Sequence, residues 1–384
     1  MKYTYIREQS AFADYCARAA KSGAPVAWDT EFMRLGDTYY PDLCVIQLMS
    51  ESGDAALVDI YGGKLSVAPF LELLADPNVT KIGHALRQDV ESLYYYAPTI
   101  RVNNMWDTQI AALLCGESDY VGYAYLVEKT CGKKLSKGMQ FSDWRKRPLS
   151  PRQAEYAMND VRYVCEIYRA QRAVLSEKNR LGWMEEEAHA AKDELLRQFS
   201  GEQCFKKIEL SRESMGDAEY LCRLTAAMRW REDRARRMNV GRNAVASDAF
   251  LTTLCAGAED FGLDALIDAE NRTGADLDPE SQKELACLAP ADVSFPLSPK
   301  QRRFKPNADA IALLDILLRR VSEETGISAG FIAKKAELAA LLENPAESCP
   351  FEMGWRNDIF GKQARALCET KLGLAISSGR TTVM

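Results

Sequence analysis

The sequence predicts a mixed α/β domain over residues 1–172, its sheet flanked by helices, followed by two all-helical blocks. Three observations carry that prediction. Val26–Phe32, Cys44–Met49 and Ala55–Asp59 are short β-prone runs, separated by the turn-like stretches Tyr40–Asp42 and Glu51–Asp54. After them helical and extended patterns alternate, which places helices against a mixed sheet. From Ser211 onward no convincing strand pattern remains.

The three closely spaced runs read as an antiparallel meander. A helical stretch follows at Val67–Leu74, then a strand at Thr80–Gly83 and a helix from near Arg87. Beyond Trp106 the pattern is mostly helical and includes Asp107–Leu114 and Pro151–Ala170. From about Ala173 to Gln198 the pattern stays helical and charged, and residues 173–210 read as a connecting helix and linker. The first helical block, residues 211–290, contains Ala218–Met238, Ser247–Ala256 and Ser281–Leu288. Between Pro290 and Pro306, four prolines and the basic run Lys300, Arg302, Arg303 and Lys305 mark a linker over residues 291–307. The last helical block is 308–384.

At 384 residues the chain suits two or three domains, and 47% apolar with 27% charged residues suits a soluble protein with real cores. No stretch approaches the roughly eighteen uninterrupted apolar residues of a membrane helix, and MKYTYIREQS lacks the apolar run of a signal peptide. Eleven scattered cysteines without a C-x-x-C pair read as reduced, cytoplasmic thiols. His84 and His189 are the only histidines, which excludes most zinc sites and leaves little room for histidine-based nucleophilic triads. Metal chemistry must then use carboxylates, which suit hard ions such as Mg²⁺ or Mn²⁺. The net charge of −6 argues mildly against a nucleic-acid partner, but does not decide where the site itself is built from acids.

The informative segment is Trp28-Asp29-Thr30-Glu31-Phe32. On a strand Asp29 and Glu31 share a face, where two carboxylates repel unless a cation lies between them. The spacing alone carries little, because it recurs at Asp89–Glu91, Asp217–Glu219, Asp268–Glu270 and Asp278–Glu280. Its context, at the end of a run expected to be buried, is what sets it apart. A second acid, Asp89, follows Lys81-Ile82-Gly83-His84 at the start of a helix, where it also serves as a dipole partner. A third element, Tyr156 and Asp160, puts a phenol and a carboxylate one helical turn apart, which a solvated surface explains equally. Together Asp29, Glu31, Asp89 and Asp160 suit two divalent ions roughly 3.5–4 Å apart, the arrangement used for in-line phosphoryl displacement. Tyr156 suits the orientation of an attacking water more than the role of a base.

These residues sit in words that resemble a known family. DTEF with YYPDLCVIQL, then HALRQDVE, WDTQIAA and SDWRKRPLSPRQAEYAMNDVRYV resemble the exonuclease motifs of the DEDD superfamily, in its tyrosine-bearing ribonuclease D branch. The resemblance implies an RNase H-like 3′→5′ exonuclease fold over residues 1–172, with Asp29, Glu31, Asp89 and Asp160 as ligands of two Mg²⁺ or Mn²⁺ ions and Tyr156 as water positioner. By position Thr30, Phe32, His84 and Gln88 then lie near the terminal nucleotide, with plain core packing equally open for Phe32. Asp107 reads as a helix cap or as a residue supporting the ligands from behind, not a ligand itself.

The helical remainder resembles the two HRDC-type domains that follow this nuclease in bacteria. LTAAMRWREDRARRMNVGRNAVASDAFL carries Arg229, Arg231, Arg234, Arg236 and Arg237 at nearly helical spacing, with Gly241 where the family usually has proline. GISAGFIAKKAEL and GWRNDIFG resemble the second. The arginine-rich helix fits RNA contact, through Arg229 and Arg236 for example, or a salt-bridged solvated face with Glu232 and Asp233. Lys133, Lys134, Lys137, Arg145, Lys146 and Arg147 are further candidate phosphate contacts, of the kind that positions RNA without reading its sequence. The implied activity is removal of 5′-mononucleotides from RNA with a free single-stranded 3′ end, by likeness a tRNA precursor. Two rivals remain at this point: a DNA exonuclease on the same fold, and an inactive nucleic-acid-binding adaptor, against which the presence of all five site residues stands.

Overall fold

The computed structural model describes the chain except residues 1, 35, 37, 95, 98–99, 119, 136–137, 140, 200–207, 209, 211–213, 258–260, 291–305, 344–348, 370, 378–379 and 384. Its contacts divide the chain into two compact units. The first comprises Met1–Met33, Leu43–Lys192 and Phe304–Met384, and the second Arg34–Asp42 and Asp193–Arg303.

In the first unit β1 (Thr4–Ile6), β2 (Val26–Met33), β3 (Asp42–Ser50), β4 (Ala55–Asp59), β5 (Lys81–Gly83) and β6 (Met105–Asp107) form one sheet in the order β1-β4-β3-β2-β5-β6. β3 and β4 pair antiparallel, whereas β1 runs parallel to β4, β5 to β2 and β6 to β5. The sheet is therefore mixed, and β2, which carries Asp29 and Glu31, is central. The helices are α1 (Gln9–Ser22), α2 (Ala68–Ala75), α3 (Arg87–Leu93), α4 (Thr108–Cys115), α5 (Tyr123–Cys131), α6 (Pro151–Arg162), α7 (Val164–Glu177) and α8 (Leu181–Phe199). Side-chain alternation along β2 sends Trp28 against Phe70 of α2, with ring centroids 5.4 Å apart, and Ala27 to the opposite face. There one apolar cluster takes in Val45, Leu57 and Ile82 of the sheet, Ala157 and Val161 of α6, and Leu317, Val321 and Trp355 of the last block.

Local chemistry fixes the elements nearest the acids. Gly83 closes β5 where a Cβ would meet the Leu86 side chain at 2.1 Å and the Trp28 carbonyl oxygen at 3.0 Å, so only glycine lets β5 lie this close to β2. Asp107 caps α4, accepting from the Gln109 amide at 2.8 Å and from the Ala85 and Leu86 amides at 2.9 and 3.0 Å. Ser150, Pro151 and Gln153 start α6 with a capping box.

Two expectations are corrected. Pro151–Ala170 is not one helix but two, broken at Tyr163. A short antiparallel hairpin, β7 (Leu374–Ser377) with β8 (Arg380–Val383), follows the last helix, and Ser377 pairs with Arg380. Ser-Gly between two β-prone tetrapeptides was its local signal. β1, β6, α1 and α5 have no counterpart in the sequence reading.

The second unit is helical: α9 (Ala218–Met238), α10 (Arg242–Val245), α11 (Asp248–Gly257), α12 (Leu263–Thr273) and α13 (Pro279–Ala286). Asp217 caps α9 through the Tyr220 amide, and Asn239 ends it in the left-handed region. Arg231 and Arg234 of the arginine-rich helix are buried, at 2% and 4% exposure, and paired with Asp248 and with Asp278, Glu280 and Glu284. Neither faces solvent, because the helix turns this stripe inward, where arginines organise acids from α11 and α13. The segment Arg34–Asp42 belongs to this unit through Tyr39, whose hydroxyl bonds the buried Glu232 and accepts from Arg236 at 3.0 Å.

Candidate active site

Asp29, Glu31 and Asp160 bring one carboxylate oxygen each within 4.8 Å of one another. Two come from alternate positions on β2 and the third from the last turn of α6. All three are partly buried. Asp89 stands beside this trio but not within it. It is 6% exposed in the first turn of α3, and its Oδ1 accepts the Thr30 amide at 3.1 Å and the Thr30 hydroxyl at 2.5 Å.

The electrostatics are those of acids with no counter-charge among them. Burial pushes the Asp29 carboxyl well above the usual range, and the charges of Asp89, Asp160 and Glu31 push it further. Glu31 is raised by burial and then by Asp160 and Asp89. Asp160 is pushed up to about 7 by burial and by Asp89. Asp89 also reaches about 7 through burial, even though the Thr30 hydroxyl and amide pull it down. Like-charged carboxylates converging where water is scarce are costly by themselves and favourable around a hard divalent cation, so the donor set fits Mg²⁺ or Mn²⁺.

Tyr156, one turn before Asp160, is half-buried, with its ring 6.1 Å from that of Trp144. Burial and the charges of Asp160, Glu31 and Asp29 raise its phenol, so it stays protonated as a hydrogen-bond donor. His84 is partly buried, and its Nδ1 lies 3.0 Å from the Thr108 hydroxyl, which donates to the Gly83 carbonyl. Burial pushes the imidazole down, while Asp107 and a bond to the Val121 backbone oppose this. Thr30 is 5% exposed and commits its hydroxyl to Asp89. Phe32 is partly buried on β2, and Gln88 is exposed in the first turn of α3. Sequence reasoning missed Tyr123, whose phenol reaches α6, because contact across thirty-six residues leaves no local pattern.

The candidate phosphate contacts separate. Lys133, Lys134, Lys146 and Arg229 are exposed, with Lys134 3.5 Å from Glu128. Arg145 is paired with Asp143, and Arg236 with Glu232 and Tyr39. Arg147 is corrected to a structural role. Its Nε donates to both oxygens of Asp59 at 2.8 Å, and its other nitrogens donate to the carbonyls of Trp144, Lys146 and Cys44. Nη2 also lies 2.6 Å from Asp59 Oδ1, so all five N–H donors have protein partners. Lys137 lies outside the described residues. No helix among the described residues is long and apolar enough to cross a membrane.

Comparison with known proteins agrees with this geometry. A 3′-5′ exonuclease family model matches residues 3–175. Ribonuclease D of Granulibacter bethesdensis is 34% identical over 91% of this chain and 89% of its own length. Ribonuclease D of Acidiphilium cryptum is 33% identical over 99% and 96%. The crystal structure of Escherichia coli RNase D, an exoribonuclease involved in structured RNA processing, superposes with a TM-score of 0.77 at 25% identity, covering 96% of this chain and 99% of that one. With Asp29, Glu31 and Asp160 gathered from β2 and α6, and these relatives spanning nearly its whole length, the chain belongs to the ribonuclease D family of exoribonucleases.

Proposed function

We propose that the chain removes nucleotides one at a time from RNA 3′ ends, releasing 5′-mononucleotides, with two divalent ions held by Asp29, Glu31, Asp89 and Asp160. The observation that carries this reading is the meeting of Asp29, Glu31 and Asp160 oxygens within 4.8 Å. Bound there, such ions supply water activation and stabilisation of the leaving oxygen. The chain's own residues do the rest. Asp29 and Glu31 offer ligand oxygens from one strand face, and Asp160 closes the site from α6. Thr30 occupies one oxygen of Asp89, and the other would serve as the ligand atom. Tyr156, kept protonated, donates its hydrogen to the attacking water and orients it. His84, Gln88 and Phe32 are read as neighbours of the terminal nucleotide.

A free, unpaired 3′ end enters this site, while residues 211–290 and 308–384, read as HRDC-type blocks, hold the RNA body. The substrate class is then tRNA precursors with extra 3′ residues, processed in the cytoplasm. Exposed Lys133, Lys134, Lys146 and Arg229 contribute phosphate contacts. The experiment is an exonuclease assay on a tRNA carrying a 3′ extension, against single-stranded DNA of equal length. RNA-selective release of 5′-mononucleotides that requires Mg²⁺ and is lost in Asp29→Asn is the expected result. An Asp29→Asn variant as fast as the parent would sink the ion assignment.

A further inference from the structure

α6 and α7 are separated by one residue, Tyr163, and a phenol sits at the break. In an uninterrupted helix the Tyr163 amide donates to the carbonyl of Asn159, four residues back. Here the Tyr163 amide donates to the Tyr123 hydroxyl at 3.2 Å, and that hydroxyl donates to the Asn159 carbonyl at 3.0 Å. One hydroxyl satisfies both backbone groups and holds them apart, and Tyr163 flattens to φ −106°, ψ −2°. A side chain inserted into the ladder is a known cause of a helix break.

Asp160 is the residue after the carbonyl so held. Its carboxylate must meet Asp29 and Glu31 on β2, so the path of the last turn of α6 sets the cluster's dimensions. The phenol is itself fixed. Tyr123 opens α5, packs beside Ile167 of α7 in a small apolar cluster, and lies 5.7 Å from the His84 ring.

We propose that Tyr123 is a positioning residue: by bridging Asn159 and Tyr163 its hydroxyl sets the break between α6 and α7, and with it the placement of Asp160 against Asp29 and Glu31. The inference rests on reading that trio as a divalent-ion site. Without the hydroxyl, Tyr163 and Asn159 pair directly, the tail of α6 tightens and Asp160 shifts away from β2. Ligand clusters tolerate little of this, because the ligating atoms must be held within about 0.5 Å.

Tyr123→Phe keeps the ring and removes the bridge. Mn²⁺ affinity, read by calorimetry on the full chain without RNA, is expected to weaken about tenfold, the usual scale for losing a group that orients a ligand. Activity should fall at limiting Mg²⁺ and recover at high Mg²⁺, with the KM for RNA unchanged. 4-Aminophenylalanine at position 123, which both donates and accepts, should restore the parent affinity. Mn²⁺ binding by the parent and its loss in Asp29→Asn check the ion-site reading by itself. If the parent binds Mn²⁺ and Tyr123→Phe binds it as tightly, the positioning role is overturned. Should Tyr123→Phe fail to fold, 3-fluorotyrosine at 123 weakens the phenol as acceptor without changing its shape. An altered Mn²⁺ affinity then supports the role, and an unaltered one overturns it.

Discussion

Thr30 gives both its hydroxyl and its amide to the same oxygen of Asp89, at 2.5 and 3.1 Å. Bonds to the charged form hold a carboxyl down, and here they oppose a burial that still leaves Asp89 titrating at about 7. Thr30→Val removes the hydroxyl at nearly constant shape. The Asp89 carboxyl then rises further, and a larger share of it is protonated at neutral pH. At limiting Mg²⁺ the acidic limb of the pH–rate profile for mononucleotide release should move to higher pH, with about a fivefold loss at pH 7 for a one-unit rise, shrinking as pH rises. A limb that stays in place would mean the hydroxyl does not tune Asp89.

The raised acids make stability depend on pH in a defined direction. Asp89 and Asp160 titrate at about 7 in the fold, well above the usual carboxylate range. Between those limits the folded chain binds more protons than the unfolded one, so ion-free stability falls as pH rises through that window. Added Mg²⁺ screens the repulsion, and its stabilising effect should therefore grow with pH. Melting temperatures in chelator and in Mg²⁺, at pH about 5.5 and about 8.5, measure the difference directly. Asp160→Asn removes one charge, so it should raise the ion-free Tm at the higher pH while destroying activity. A Mg²⁺ effect that is equal at both pH values contradicts the assignment.

In the helical unit the buried Glu232, at 1% exposure, is held by Arg242, Arg236 and Tyr39. Burial pushes its carboxyl up, but the bonds from Arg242 and Tyr39 outweigh this and keep it below its ordinary value. A depressed acid stabilises above its unfolded pKa, and the gain is lost as pH falls through the folded one. Glu232→Gln leaves two guanidinium groups short of a counter-charge and should cost about 3 kcal/mol, read from denaturant unfolding near neutral pH. The loss should shrink in acid, where the parent also protonates.

What could be read from the chain was local. β2 and the pairing of Asp29 with Glu31 follow from strand alternation, and Asp107 as a cap follows from helix-start chemistry. What escaped depends on residues far apart. The α6–α7 break is made by Tyr123 from another helix, so Pro151–Ala170 reads as one helix in isolation. Arginines at helical spacing look alike whether their stripe faces water or acids from α11 and α13, and burial decides it only once the helices pack. Arg147 looked like a phosphate contact because its partner Asp59 lies eighty-eight residues away.

The last helical block shares the nuclease core, and Glu187 shows how. It lies in α8 at 8% exposure and accepts the Trp355 indole N–H at 2.7 Å and the Arg356 guanidinium. Trp355 in turn stacks on Trp183 of α8 at 4.8 Å, with Arg356 above it. Glu187→Ala strands a partly buried cation and an indole N–H together, which should cost about 3–5 kcal/mol, the range seen when one partner of a buried pair is removed. Because one apolar cluster joins Trp355 and Phe360 to Val161 and Leu57, that loss should lower the melting of the nuclease sheet itself. Calorimetry on Glu187→Ala should show the first unit's single transition moving down as a whole. A new low-temperature transition, with mononucleotide release surviving above it, would instead mean that residues 304–384 unfold independently of the catalytic fold.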